Sequence, residues 1–136
     1  MNNFEKGKRL IEDAREYKED AIISFQKENW NRTIRRAQES VELYLKGFME
    51  IIGIEVPKIH DVGKIFVNTC RRKKIKLEKS IGEKIIEISS FLSEKRAPAF
   101  YREEEFGRED ARRAIESVKF ISQSIEKLLK EIIKNE

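Results

Sequence analysis

The stretch RTIRRAQESVELYLKGFMEIIGI, residues 32–54, sets the architecture. In it Ile34, Ala37, Val41, Tyr44, Leu45, Phe48 and Ile52 recur at three- and four-residue steps. That period lines side chains along one face of an α-helix. Gly53 closes the series and reads as the stop beyond the helix C-terminus. On a neighbouring face Gln38, Glu42 and Lys46 step by four, with Arg35 at the edge of the row. Glu42 to Lys46 is the favourable i, i+4 order, worth roughly 0.2–0.5 kcal/mol. Gln38 borders Ala37 and Val41 rather than open solvent, so the row reads either as a structural ion pair or as a wall of a ligand cleft.

Upstream, Phe4, Gly7, Leu10, Ile11, Ala14, Tyr17, Ala21, Ile22 and Phe25 carry the same period, predicting a first helix from about Asn3 to Lys27. The connection Glu28 to Asn29 is so short that these two helices must lie antiparallel as a hairpin. Downstream, the loop around Pro57 leads to His60 or Asp61, either of which is placed to cap a shorter helix through Val62, Ile65, Phe66 and Cys70. Ser80 and Glu83 have capping-box spacing and open a fourth helix through Ile85, Ile88, Phe91 and Leu92. Pro98 is expected to end or kink it, since a helix-interior proline costs about 3 kcal/mol. After Gly107, Ala111, Ala114, Ile115, Val118, Ile121, Ile125, Leu128, Leu129 and Ile132 mark a final helix of about 25 residues. With no alternating strand pattern anywhere, the chain reads as all-α: an up-and-down bundle of about five helices, three of them long.

The length of 136 residues fits one domain, residues 1–136. A net charge of +4 and a pI near 9.1 point only weakly to anionic partners. The basic charge concentrates in Arg71, Arg72, Lys73, Lys74, Lys76 and Lys79, opposed by Glu78 alone; the run is either a solvated linker or a phosphate footprint. A single cysteine, Cys70, excludes an internal disulfide and a cysteine-based zinc site. The opening MNNFEKGKRL has no apolar signal segment, and no apolar run reaches the roughly 18 residues of a membrane helix, so a cytoplasmic protein without membrane contact is expected. Gly-rich phosphate loops, paired-histidine zinc motifs, EF-hand loops and Gly-x-Ser-x-Gly elbows are all absent from the sequence, and no cofactor or metal is expected.

One segment departs from helical periodicity. In SSFLSEKRAPAFYREEEFGRED, residues 89–110, Arg96, Pro98, Phe100, Tyr101 and Arg102 fall within seven positions. Arginine suits a phosphate, and an aromatic hydroxyl suits stacking or a polar partner.

AQESVELYLKGFMEIIGIEVPKIHDV, followed by a helix ending SEKRAPAFY, resembles the HEPN domain family over nearly the whole chain. The resemblance rests on the Gln38, Glu42, Lys46 row with Gly53, on the His60-Asp61 pair, and on Arg96 with Tyr101. It implies a helical bundle that usually dimerises, a nucleotide-binding cleft, and pairing with a minimal nucleotidyltransferase. Many relatives are metal-independent ribonucleases, among them toxins of toxin-antitoxin pairs, whose motif is an Arg, often a polar residue, and a His after four to six intervening positions. Arg96 matches the first position, but Ala97 fills the polar one and Tyr101, Arg102 and Glu103 stand where the His would be.

RNA cleavage needs a base for the 2′-hydroxyl proton and an acid for the leaving oxygen, and histidine ordinarily titrates near 6.5 and can do either. A tyrosine titrating near 10 is ionised to only about one part in a thousand at pH 7. The sequence therefore favours a site that binds an anion without cutting it: Arg96 on a phosphate, Tyr101 hydrogen-bonding or stacking, and Gln38 and Lys46 adding polar contacts if their face opens on the same cleft. The expected protein is a homodimer that binds nucleotide or RNA beside a nucleotidyltransferase partner. Two other readings stay open: a ribonuclease toxin with an altered Arg/Tyr site, and a non-catalytic protein-interaction module.

Overall fold

The computed structural model describes residues 2–134. Five helices follow one another: α1 Asn3–Gln26, α2 Trp30–Ile51, α3 Gly63–Arg72, α4 Lys79–Tyr101 and α5 Arg108–Lys134. There is no strand among the described residues. The all-α bundle expected from the apolar periodicity is the fold observed.

Asn2 caps α1, its side chain accepting from the Glu5 amide at 2.8 Å, and Asn29 caps α2 by accepting from Arg32 N at 3.2 Å. Between them the chain reverses at Glu28, whose φ of 60° lies in the left-handed region. The hairpin closes tightly because two glycines face each other: a Cβ on Gly7 would stand 2.7 Å from the Gly47 carbonyl. Lower down, Ser40 Oγ donates to the Ala14 carbonyl at 2.6 Å.

α2 is the central element. Ile34, Val41, Tyr44, Leu45, Phe48 and Met49 are buried, packed with Phe66 of α3, Ile85 and Leu92 of α4, and Val118, Ile121 and Ile125 of α5. Phe48 meets Phe66 edge to face, with ring centroids 5.5 Å apart. Arg15 reaches from α1 to α5 in a two-pronged pair with Glu126, at 2.7 and 2.8 Å. Their hydrogen bond, outweighing burial and aided by mutual attraction, raises the arginine's pKa and lowers the carboxylate's.

α3 lies antiparallel on the first half of α4, Gly63 against Ser89 and Val67 against Gly82. A Cβ on Gly63 would come within 2.8 Å of the Ser89 Cβ, so only glycine allows the start of α3 to settle there. The two expected caps of this region are replaced. Val62 is the N-cap of α3 and makes no side-chain bond; Asp61 acts through α4 instead, accepting from Ser89 Oγ at 2.7 Å while that oxygen accepts from Gly63 N at 3.1 Å. α4 begins at Lys79, before the Ser80 to Glu83 pair, with no side-chain cap bond.

Nor does α4 stop or break at Pro98. It runs on to Tyr101. Pro98 forgoes only the bond to the Glu94 carbonyl, on the exposed side of the helix where water can take it, and its own carbonyl accepts from Arg102 and Glu103 at the helix end.

Candidate functional site

The Arg96 to Tyr101 segment is helical, and its position is set by a residue far away in sequence. Buried Asn31, in the first turn of α2, donates through Nδ2 to the Ala99 carbonyl at 3.2 Å and the Glu104 carbonyl at 2.9 Å. Its Oδ1 accepts from Phe106 N at 2.9 Å. The turn after α4, left-handed at Arg102 with φ 55°, is thereby pinned to the start of α2.

This pinning sets the last two turns of α4 beside the arginines of α2. The Arg35 guanidinium lies over the Phe100 ring, 4.5 Å from its centroid. Phe100 and Tyr101 meet edge to face at 4.8 Å, and the residues are 54% and 69% exposed, unusually open for such large side chains. Arg35 is held below its ordinary pKa first by burial and then by the charge of Arg36, opposed by Glu39, with Arg32 and Arg96 adding smaller repulsions. Some of the neighbouring arginines are already occupied: Arg36 pairs with Glu39 at 2.8 Å, and Arg102 with Glu105 at 3.2 Å. Arg35 and Arg96 have no carboxylate within 4.0 Å among the described residues.

The other candidate row has turned inward on one acid. Glu42 accepts from Lys46 Nζ at 2.7 Å, from Gln38 Nε2 at 2.9 Å and from His60 Nδ1 at 2.8 Å. Burial works against its charge, but these three donors outweigh it and hold the carboxyl below its ordinary range. Gln38 is only 2% exposed, and its carbonyl oxygen is buried without a partner. Gln38 and Lys46 are thus engaged by Glu42, whereas Tyr101 meets Phe100 beneath Arg35, and Arg96 bears on Arg35 through its charge. The His60 side chain is 54% exposed, and its Nε2 has no partner among the described residues.

In the sequence Arg35 stands at the edge of the α2 row with no ligand role attached, and the spatial neighbour that brings it in, Phe100, is 65 residues on. Asn31 left no signal, because nothing local marks a side chain that bonds a turn at residues 99–106. The basic run spans the end of α3, a left-handed turn at Lys74 with φ 57°, and the start of α4. Ile75 and Leu77 pack from it against the core. Cys70, beneath it, is buried, and burial raises its pKa to about 11, which makes it an inert thiol at neutral pH. No metal-holding group of His, Cys, Asp and Glu occurs among the described residues, and no helix there is long and apolar enough to cross a membrane.

Five helices, a short third one laid along the fourth, and an arginine–aromatic patch where the fourth meets the second define an all-α bundle with a polar site at one end. The chain belongs to the HEPN domain family, whose model matches residues 8–131. That membership carries a nucleotide- or RNA-related role. The chain is similar to the crystal structure of TT1696 from Thermus thermophilus, at 18% identity over 94% of this chain and 99% of that one, with a TM-score of 0.74; the likeness is one of fold. No curated protein sequence matches the chain.

Proposed function

We propose that the protein binds a phosphate of a nucleotide or RNA segment between Arg35 and Arg96, without cutting it, and does so beside a minimal nucleotidyltransferase. The observation that carries this reading is that Arg35, partly buried and repelled by the arginines around it, and Arg96 form no ion pair among the described residues. Like charges drawn together and partly desolvated cost free energy, and an anion between them removes that cost. Phe100 and Tyr101 supply exposed rings on which a base or sugar can pack. Non-cleaving binding is favoured because the described α4 segment offers Tyr101 rather than an imidazole, and Tyr101 has no hydrogen-bonded base to activate it. The partner enzyme and a toxin-antitoxin setting are proposed from family membership.

The test is binding of a short RNA by wild type, Arg35→Ala and Arg96→Ala. Each substitution is expected to cost about 1.5–3 kcal/mol, the range for a hydrogen bond to a charged group, while RNA incubated for hours with the wild type stays intact. Unchanged affinity in both variants would refute the site, and cleavage abolished by Tyr101→Phe would show instead a working ribonuclease.

A further inference from the structure

The Glu42 and His60 pair lies along α2 from the arginine site, on the same face as Arg35. Because Glu42 is held ionised and offers only acceptors, the proton of the hydrogen bond must sit on His60 Nδ1. In this tautomer Nε2 is the ring's acceptor, and the bond to a mostly buried carboxylate orients it.

Two independent rulers place the residues that hold this ring. On α2, Glu42 lies seven residues after Arg35; on α4, Ser89, which holds Asp61 next to His60, lies seven residues before Arg96. Seven residues return to nearly the same face of a helix, and at 1.5 Å each they span about 10 Å. Gly82, Ser89 and Arg96 therefore form one stripe on α4. α3 covers that stripe from Gly82 to Ser89, with its first residue at Ser89, and the stripe continues beyond it to Arg96. The separation is too long for one phosphate to touch both points, and suits a phosphate at one end with its nucleoside reaching the other.

We infer that His60 is the second contact of the site, its Nε2 accepting a hydrogen bond from the nucleoside part of a ligand whose phosphate sits at Arg35 and Arg96. The inference rests on the anion reading above and adds what that reading leaves open: the site distinguishes a nucleotide from a bare phosphate. Glu42 is a positioning residue that fixes the tautomer. The donor on the ligand is either a base N–H or a sugar 2′-hydroxyl remote from the phosphate that the arginines hold, so the contact supplies no base for cleavage at that phosphate.

The experiment measures binding of inorganic phosphate, triadenylate RNA and its deoxyribose counterpart to wild type, His60→Ala and Arg96→Ala. Half exposed and outside every helix, His60 can be truncated without opening the core. Arg96→Ala is expected to weaken all three ligands. His60→Ala should leave inorganic phosphate unchanged and weaken trinucleotide binding roughly three- to tenfold, the worth of one hydrogen bond. A loss confined to the RNA identifies the 2′-hydroxyl as donor, and an equal loss with both trinucleotides identifies the base. Trinucleotide affinities unchanged in His60→Ala, or a loss as large for inorganic phosphate, would overturn the inference while leaving the arginine site standing. No weakening in Arg96→Ala, or no binding by the wild type, would remove both.

Discussion

Glu42 shows how one side chain decides what its neighbours are free to do. Lys46 and Gln38 have the spacing and chemistry of ligand contacts, yet a single carboxylate between them engages both and recruits His60 across the loop. Glu42→Gln keeps the shape and removes the charge, so it should lower stability by about 1–3 kcal/mol in denaturant titration near neutral pH. The pH dependence has a definite sign. The folded-state pKa is depressed below the ordinary value of 4.5, so the stabilisation is fully present above 4.5 and fades as pH falls through the lower folded value. Wild type and Glu42→Gln should therefore converge in stability in acid below 4.5; a gap that stays constant there would mean the charge of Glu42 contributes nothing.

Among the helices, the long amphipathic faces were legible because burial imposes a period that sequence displays directly. α2 and α5 show it cleanly, with Ile34 through Phe48 on the covered side of α2, whereas Phe4 at the start of the α1 series is exposed. What escaped was set by contacts between distant residues. Pro98 looked like a stop because its local cost is large, whereas the helix end is held by Asn31 from the start of α2. Asn31→Ala would leave two carbonyls and the Phe106 amide without this partner, and is expected to destabilise the fold by about 2–4 kcal/mol. Hydrogen exchange should also rise selectively over residues 99–106; protection as in the wild type would refute the pinning role. The Gly7 and Gly47 contact is another such case, since either glycine alone reads as an ordinary helix residue. Gly7→Ala places a methyl 2.7 Å from backbone and should cost about 1–3 kcal/mol in thermal or denaturant unfolding. A neutral effect would show that the hairpin opens to accommodate it.

The bundle as a whole keeps its core around α2 and places Arg35 and Arg96, which form no ion pair among the described residues, at one end, where α4 meets the start of α2. The candidate site was half legible: Arg96 and Tyr101 stood out as a break in periodicity, but Arg35 joins them only once the helices are packed. The second basic feature, the loop from Arg71 to Lys79, lies at the far end of α4, about 25 Å from Arg96 by helix rise. An RNA drawn only by net charge would settle on that loop; one bound at the arginine–aromatic patch would not need it. NMR titration of the labelled protein with a short RNA separates the two in a single experiment. The expected result is shift changes at the Arg35 and Arg96 side chains and at the Phe100, Tyr101 and His60 rings, with the Arg71 to Lys79 amides unmoved. Changes confined to residues 71–79, or none at saturating RNA, would contradict it.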